Sequence, residues 1–221
     1  MTNVSPWASG GLPQLNVAAT CSATSALGPG VRAVVWVQGC PLNCPECVAP
    51  DWIPFLPARL VAPEELAQEL LERPDVTGLT LSGGEPMLQA AGLAALAQAM
   101  AARRDLTVIC FTGFLLEHLR RSPPGPGVED LLRRVDVLID GPYVAPRNDQ
   151  QGLRGSANQR VHYLSGRLKG DDFDFDAGPR RTEIHLIGRE ALLVGVPPTR
   201  ALRAFHAALD RAEKRNKGGS E

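Results

Sequence analysis

The stretch that decides the fold is residues 31–47, which read VRAVVWVQGCPLNCPEC. Its first half is a β-branched, apolar run that predicts a strand over residues 31–37. Its second half begins just past the carboxyl end of that strand and carries Cys40, Cys44 and Cys47, spaced four and three residues apart. That spacing alone would place the three thiols on one face of a helix.

Two prolines decide how this second half folds. Pro41 and Pro45 exclude a helix, because an interior proline lacks the N–H donor and its ring clashes with the preceding turn. The segment is therefore predicted to be a loop that brings three sulfur atoms towards one point. Such a loop is typical of a metal site.

On the carboxyl side of this stretch, short apolar strands alternate with helices that have apolar residues at helical spacing. The predicted strands are 76–81, 106–111 and 135–139, and the predicted helices are 63–72, 88–103, 114–121 and 128–134. Repeated strand–helix pairs predict an α/β fold, a parallel sheet with right-handed crossover connections.

The two ends of the chain carry weaker patterns. Residues 1–13 are rich in Gly, Pro, Ser and Asn and are predicted to be a loose lead-in. The other predicted elements are strands at 15–20 and 160–164, an acidic loop at 171–176, a hairpin-like pair at 182–187 and 191–196, a helix near 199–214 and a frayed tail at 214–221. The fold prediction therefore rests on the central alternation.

Length and charge exclude several classes of function. A chain of 221 residues is long enough for one large domain. Its formal net charge of −1, without a cluster of Lys or Arg, argues against a nucleic-acid partner. No stretch approaches the ~18 consecutive apolar residues of a membrane helix, and the N-terminus lacks the pattern of a signal peptide. We therefore expect a cytoplasmic protein without a nucleic-acid or membrane partner.

The five cysteines indicate metal or redox chemistry. Disulfide frameworks belong to short secreted chains, whereas three of these cysteines crowd into eight residues of a chain expected in the cytosol. Cys110 lies in an apolar run and is expected to be a buried small hydrophobe. Cys21 lies apart from the other four.

Three thiolates leave a metal centre one ligand short. Structural zinc takes four ligands, but the histidines at 118, 162, 185 and 206 lie far off and lack metal-pair spacing. A zinc deaminase needs His-x-Glu and Pro-Cys-x-x-Cys, and neither motif is present. Iron–sulfur clusters usually take four cysteines, so three would leave one iron open to bind and activate another molecule. We favour an open iron–sulfur cluster, with zinc or redox thiols as alternatives.

A second motif, Ser82-Gly-Gly-Glu-Pro86, lies where a predicted strand ends and a helix begins. Ser82 and Glu85 have the spacing of a capping box, and Pro86 suits the first helical turn. A capping box does not need two glycines, however. Because Gly83 and Gly84 lack Cβ atoms, a ligand could approach the backbone closely, and the Glu85 carboxylate could accept hydrogen bonds from an ammonium group. From the residues alone, both interpretations stay open.

The next two strands end on Thr112-Gly113 and Asp140-Gly141. In parallel α/β folds, ligands bind at the carboxyl ends of the strands. Thr112 and Asp140 could each be an ordinary cap or turn residue. Since the cysteine loop and the Gly-Gly-Glu turn have the same position relative to their strands, we predict that all four features converge on one rim. Thr112 and Asp140 are predicted to contribute to cofactor binding there.

Together these motifs resemble the radical S-adenosylmethionine superfamily, which combines Cys-x3-Cys-x2-Cys after a first strand with Gly-Gly-Glu-Pro after the second. Residues 14–165 resemble, more narrowly, the anaerobic ribonucleotide reductase activating enzymes, which are of the glycyl-radical activating type. The motifs that carry this narrower resemblance are Gly28-Pro-Gly-x-Arg32, Trp36-x-Gln-Gly-Cys40, Thr112-Gly113 and Gly155-Ser-Ala-Asn-Gln-Arg160.

The resemblance implies a partial (β/α)6 TIM-like barrel and a set of site residues. Cys40, Cys44 and Cys47 would be catalytic and would ligate three irons of a 4Fe-4S cluster, while the fourth iron would chelate S-adenosylmethionine through its amino and carboxylate groups. Residues 83–85 would hold the methionyl ammonium of that cofactor. The reduced cluster would cleave it to methionine and a 5′-deoxyadenosyl radical, which abstracts a hydrogen atom.

The chain departs from the family pattern in two places. Related activating enzymes carry Asp-x-Lys after the fourth strand, and this lysine can help bind the cofactor carboxylate. Here the third position is Pro142. The candidates for the missing charge are Arg147, Arg154 and Arg160. The position that is often aromatic in the superfamily is Glu46, although the ribonucleotide reductase activators also lack an aromatic residue there.

The chain is also longer than the compact activators. We predict a partial-barrel domain with its lead-in over residues 1–165, and a C-terminal extension over residues 166–221 packed on the same domain. The acidic run at 171–176 lacks the central Gly and final Glu of an EF-hand and is expected to be a solvated loop.

Three functions remain to be separated. The favoured one is activation of a glycyl-radical partner protein, with a flavodoxin- or ferredoxin-type electron donor. The second is a small-molecule radical synthase similar to 7-carboxy-7-deazaguanine synthase, which the longer C-terminus and the missing lysine favour somewhat. The third is a non-enzymatic iron–sulfur or zinc protein, for which the Gly-Gly-Glu turn would be coincidental.

Overall fold

The computed structural model describes residues 14–170, 172–188 and 190–218, so the predicted lead-in at 1–13 lies outside the described residues. The strands are β1 (Leu15–Thr24), β2 (Arg32–Val37), β3 (Arg59–Val61), β4 (Gly78–Gly83), β5 (Thr107–Phe111), β6 (Val137–Asp140), β7 (Arg160–Tyr163), β8 (Thr182–Ile187) and β9 (Glu190–Gly195). The helices are α1 (Pro63–Leu70), α2 (Ala90–Ala101), α3 (Leu116–Arg121), α4 (Val128–Leu132) and α5 (Thr199–Gly218). None of the helices in this described part has the length and apolarity needed to cross a membrane.

Seven strands form one mixed sheet in the order β3-β1-β2-β4-β5-β6-β7. The central strands β2, β4, β5 and β6 are parallel to one another. At the edges, β1 pairs antiparallel with both β2 and β3, and β7 pairs antiparallel with β6. The prediction of an α/β fold with a mostly parallel central sheet is therefore confirmed. The closer likeness to a partial barrel stays a prediction.

Two hydrophobic clusters cover the two faces of this sheet. Because successive side chains of a strand point to opposite faces, Val35 and Leu138 join the helices in one cluster, whereas Trp36 and Ile139 belong to the other. Helices α1 and α2 complete the first cluster, which also contains Cys110 with no exposed surface. The prediction that Cys110 is a buried hydrophobe is thus confirmed. The face that carries Trp36 is free of these helices and is the one on which a ligand site can form.

Arg32 explains one of the sequence motifs. Its side chain is fully buried and donates to Thr80 Oγ1 (2.7 Å), Leu79 O (2.7 Å), Thr107 O (3.0 Å), Thr107 Oγ1 (3.0 Å) and Pro29 O (3.2 Å). These bonds join the turn at residues 28–30 to β4 and β5, so the guanidinium holds the start of three neighbouring strands in register. Burial lowers the pKa of Arg32 to about 9.

The C-terminal elements lie outside the large sheet. Strands β8 and β9 form a separate antiparallel hairpin, as predicted, and α5 continues to Gly218, four residues beyond the predicted end at 214. The structure also contains β3, a three-residue strand that the sequence analysis missed. The division at residues 165 and 166 stays a prediction, although the last strand of the large sheet ends nearby, at Tyr163.

Candidate metal and cofactor site

The cysteine loop, residues 40–47, is irregular, as its prolines predict. Its first backbone N–H, that of Cys40, donates to the carbonyl of Ile53 at 2.9 Å and so ties the loop to the segment that follows it. Asn43 and Glu46 have φ angles of 43° and 56°. Non-glycine residues rarely adopt this left-handed region, so the loop is tightly curled by its surroundings.

Gly83 and Gly84 allow the end of β4 to contact the start of this loop. A Cβ on Gly83, whose φ is +107°, would lie 2.4 Å from Val37 N, and a Cβ on Gly84 would lie 2.4 Å from Gly39 O. The same contact is held by hydrogen bonds from Gly84 N to Val37 O (2.7 Å) and from Glu85 N to Gly39 O (2.9 Å). The two glycines are thus required by the close approach of the chain to itself, directly before Cys40.

Glu85 joins the ends of β4 and β5. Its carboxylate is 1% exposed and accepts hydrogen bonds from Met87 N (2.9 Å), Thr112 Oγ1 (2.8 Å) and Gly113 N (2.9 Å). Glu85 is therefore itself the N-cap of the short 3-10 turn at Pro86–Gln89, whereas Ser82, the cap residue in the capping-box interpretation, is not. Burial raises the pKa of Glu85 to about 7, although these three donors oppose the shift.

A cavity of about 640 Å³ lies on the face of the sheet that carries Trp36, opposite α1 and α2, at the carboxyl ends of the parallel strands. Its lining includes all three thiols of the cysteine loop together with Gly83, Gly84, Glu85 and Thr112. Seven of the eight predicted site residues therefore meet at one cavity. Residues from β9 and α5 line it as well.

The three thiols are free and only partly exposed. Burial raises the pKa of Cys40 and of Cys47, and the neighbouring Cys44 contributes to both shifts. Within the described residues, no three His, Cys, Asp or Glu side chains are close enough together to hold a single metal ion. A mononuclear zinc site is thus not preformed by this loop. A cluster does not need that arrangement, because each cysteine of an iron–sulfur cluster binds an iron of its own.

Asp140 is the predicted site residue that the structure does not bring to the cavity. It is fully buried on the same face of β6 as Leu138, which packs against the helices. Its carboxylate accepts hydrogen bonds from Leu116 N (2.6 Å) and from Arg160 Nε and Nη2 (3.0 and 2.6 Å), and His162 Nε2 lies 3.1 Å away. Asp140 therefore caps α3 and joins β6 to β7.

The arginines considered as replacements for the missing lysine do not line the cavity either: they are Arg147, Arg154 and Arg160. Arg154 pairs with Asp149 at 2.9 Å. From the same segment, Gly155 and Gln159 do line the cavity. Gln159 accepts from Gly155 N (2.7 Å) and donates to Gly141 O (2.8 Å), so the motif at residues 155–160 shapes a loop against the end of β6.

Several lining residues were missed by the sequence analysis. Trp36 and Phe111 belong to predicted strands, and their alternation with core residues is a signal that could have assigned them to the other face. Trp52, whose ring centroid is 5.6 Å from that of Trp36, had no such signal because it lies in a proline-rich connection. The lining residues of β9 and α5 had none either, because the sequence does not show where these elements pack.

Comparisons with known proteins agree with this site. Residues 26–162 match the family model described as the 4Fe-4S single cluster domain. The anaerobic ribonucleoside-triphosphate reductase-activating protein of Vibrio cholerae is 32% identical over 145 residues, which cover 61% of this chain and 89% of the relative. The protein of the same name from Enterobacteria phage T4 is 30% identical over 142 residues, 61% of this chain and 85% of its own.

Two further similarities are shorter or weaker. The pyruvate formate-lyase-activating enzyme of Staphylococcus aureus is 44% identical over 68 residues, 28% of this chain and 27% of the relative. The crystal structure of QueE from Escherichia coli superimposes with a TM-score of 0.39 at 15% identity, over 45% of this chain and 53% of its own. From the family match and the two long alignments, the chain belongs to the 4Fe-4S single cluster domain family and to the radical S-adenosylmethionine activating enzymes, with a 4Fe-4S cluster and S-adenosylmethionine as its cofactors.

Proposed function

We propose that this enzyme activates a glycyl-radical partner protein by removing a hydrogen atom from one of the partner's glycines. The observation that carries the proposal is that three thiols, the Gly-Gly-Glu turn and Thr112 line one cavity at the carboxyl ends of the parallel strands. The relatives that are named as activating proteins of anaerobic ribonucleoside-triphosphate reductase support the same class of partner.

The donor set of the cavity fits a 4Fe-4S cluster. We assign Cys40, Cys44 and Cys47 to three of its irons, one thiolate to each. The thiolate form is required, and a coordinating metal deprotonates a thiol even where burial has raised its pKa. When bound, the cluster supplies the electron that cleaves S-adenosylmethionine to methionine and the 5′-deoxyadenosyl radical that abstracts hydrogen.

We assign Glu85 to the methionyl ammonium of S-adenosylmethionine. Among the described residues, Gly113 N is the one donor to its Oε2, and a carboxylate oxygen has two lone pairs, so an acceptor position remains. Gly83 and Gly84 line the same cavity and allow the turn that carries Glu85 to pack against the chain directly before Cys40. Thr112 is a positioning residue, because its hydroxyl donates to Oε1 at 2.8 Å.

Asp140 is not among the residues that we assign to the cluster or to S-adenosylmethionine. Its contacts with Arg160 and Leu116 lie on the helix-covered face, so we assign it to holding β6, β7 and α3 together. Gly141, the next residue, does line the cavity. Asp140 thus stabilises the end of its strand without lining the cavity itself.

Apolar side chains protect the reacting centre. Leu42 comes from the cysteine loop, while Trp36 and Phe111 come from β2 and β5, and all three line the cavity. Apolar walls exclude water from the site and suppress side reactions of a reactive intermediate. The chain's own residues therefore supply ligands, an acceptor for the ammonium group and a dry surface.

We also propose that the large sheet is a shortened form of the partial (β/α)6 barrel, with residues 1–165 as the catalytic domain and residues 166–221 as an extension packed on it. The four parallel strands and the cavity at their carboxyl ends support this assignment.

A flavodoxin- or ferredoxin-type protein is the electron donor that we propose, and the exposed Pro45 and Glu46 of the cysteine loop leave the thiols approachable from solvent.

The experiment uses the reconstituted enzyme and a glycyl-radical protein from the same genome that has been labelled with dideuterated glycine. We expect a glycyl radical in the electron paramagnetic resonance spectrum and deuterium in the 5′-deoxyadenosine. A partner with its radical glycine changed to Ala is the control and should give neither. If S-adenosylmethionine is cleaved but no glycyl-radical protein of that genome yields the radical, the partner is excluded and a small-molecule substrate takes its place.

A further inference from the structure

The C-terminal part of the chain lies beyond the family match at residues 26–162, yet it forms one side of the cavity. Its lining residues include Glu190 and Leu192 of β9, Val196 after it, and Leu202, Phe205 and Leu209 of α5. We call residues 190–209 the C-terminal wall. The wall faces the same cavity as the cysteine loop, so a substrate held there meets both.

Specific contacts fix β8, the strand that pairs with the first strand of the wall, to the large sheet. Glu183 of β8 accepts hydrogen bonds from Thr24 Oγ1 (2.8 Å), Ser25 N (3.0 Å) and Ser25 Oγ (3.0 Å) at the end of β1. His185 Nε2 lies 2.8 Å from the same carboxylate. Partial burial would raise the pKa of Glu183, but these hydrogen bonds outweigh it and lower the pKa to about 2. The hairpin is therefore held by an ionised carboxylate at neutral pH, and β9 takes its position from that hairpin.

The chemistry of the wall is apolar. Leu202, Phe205 and Leu209 follow one another at intervals of three and four residues, which places them on one face of α5, and all three line the cavity. Leu209 remains 36% exposed, so this apolar face is not fully covered within the chain. A partner with apolar side chains could cover it.

The charge of the lining is also distinctive. The acidic residues Asp51 and Glu190 line the cavity, and His206 lines it as well. Carboxylates on a partner segment would be repelled by these groups, whereas neutral or cationic side chains would not. Shape and charge thus favour the same kind of occupant.

We propose that the C-terminal wall binds the segment of the protein substrate that flanks the reacting glycine, and that it selects apolar, non-acidic side chains in that segment. This inference rests on the proposed function, since it takes the substrate to be a polypeptide. It assigns the extension a role in substrate choice. Phe205 is the specificity-determining residue, because it is the largest apolar side chain that α5 contributes to the lining.

The test is isothermal titration calorimetry on the reconstituted full-length enzyme with S-adenosylmethionine present. Two nine-residue peptides with a central glycine are the probes, one flanked by Leu, Val and Phe, the other with two of those positions changed to Glu. We expect the apolar peptide to bind at least about tenfold more tightly, and Phe205→Ala to weaken it by about tenfold through the lost apolar contact. Arg203→Ala, on an exposed position of α5, is the matched control and should bind like the wild type.

Glu190→Gln separates the charge argument from the apolar one. This variant should bind the acidic peptide more tightly than the wild type does, so the ratio between the two peptide affinities should become smaller. Equal affinities of the wild type for the two peptides, no binding of either peptide, or a Phe205→Ala variant that binds like Arg203→Ala would overturn the proposal. Calorimetry measures binding and needs no turnover, so the two hypotheses can fail separately. Selective peptide binding by an enzyme that transfers no hydrogen from a partner's glycine would contradict the proposed function but would still support the selectivity of the wall.

Discussion

Replacing Asp140 by Asn should destabilise the fold without impairing the cofactor site. The Asp140 carboxylate is fully buried and accepts from the backbone N–H of Leu116, which begins α3, and from two nitrogens of Arg160. An asparagine side chain has only one oxygen acceptor. Its NH2 group would therefore face Leu116 N or a nitrogen of Arg160, each of which donates to a carboxylate oxygen in the wild type.

The size of the effect follows from these contacts. Loss of a helix cap costs about 1 kcal/mol, and loss of hydrogen bonds between charged groups costs roughly 1.5–3 kcal/mol. The Arg160 side chain is 43% exposed, which favours the lower half of that range. Because the asparagine oxygen can still accept from one of these donors, the two costs do not add in full, and the free energy of unfolding should fall by about 2 kcal/mol. For a chain of this size each kcal/mol lowers Tm by roughly 2–4 °C, so Tm should fall by about 4–8 °C.

Thermal unfolding followed by circular dichroism measures this effect, and cleavage of S-adenosylmethionine by the reconstituted variant measures the site. Asp130→Asn, at an exposed residue whose partner is Arg133, is the control and should change Tm by less than about 2 °C. Burial would raise the pKa of Asp140, but its contacts with Arg160, Leu116 and His162 outweigh burial and lower that pKa. The contribution of Asp140 to stability is therefore present at neutral pH and fades as the pH falls below about 4. An unchanged Tm, or a stable variant that cannot bind S-adenosylmethionine, would refute the reasoning.

Three further predictions concern the turn and the anchor. Gly84→Ala should lower Tm by about 4 °C or more, because the added Cβ would lie 2.4 Å from Gly39 O. Gly166→Ala is the control and should leave Tm unchanged, because no atom lies within 4 Å of the Cβ that it adds. Equal Tm values for the two variants would contradict this. With Glu85 titrating at about 7, S-adenosylmethionine should bind about tenfold more tightly at pH 8 than at pH 6, and Glu85→Gln should remove that dependence. Glu183→Gln should speed hydrogen exchange in β8, and unchanged exchange would count against the anchor.

Much of the fold was predictable because its signals are local. The parallel strands are short apolar runs, and α1 begins at Pro63 with acids in its first turn. The prolines of the cysteine loop excluded a helix on steric grounds alone. β3 was not predicted because it has only three residues, two of which are exposed, and it lies between prolines.

The misplacement of Asp140 has a physical cause. The position of Asp140 at the end of a strand predicts the correct edge of the sheet. Side chains alternate between the two faces of the sheet, however, and Asp140 lies on the same face as Leu138, two residues before it. The sequence shows that the two residues share a face but not which face the helices cover. The C-terminal wall was unpredictable for a different reason, since the contacts of Glu183 with Thr24 and Ser25 join residues about 160 positions apart without any periodic pattern.

The central claim is that Cys40, Cys44 and Cys47 hold a cluster that cleaves S-adenosylmethionine. The most direct test is anaerobic reconstitution with iron and sulfide, followed by dithionite and S-adenosylmethionine, with quantification of 5′-deoxyadenosine against bound iron. We predict about four irons per chain and release of 5′-deoxyadenosine by the wild type and by Cys21→Ala, and neither in Cys40→Ala, Cys44→Ala or Cys47→Ala. A fully loaded wild type that releases no 5′-deoxyadenosine, or a Cys40→Ala variant that keeps both cluster and cleavage, would contradict it.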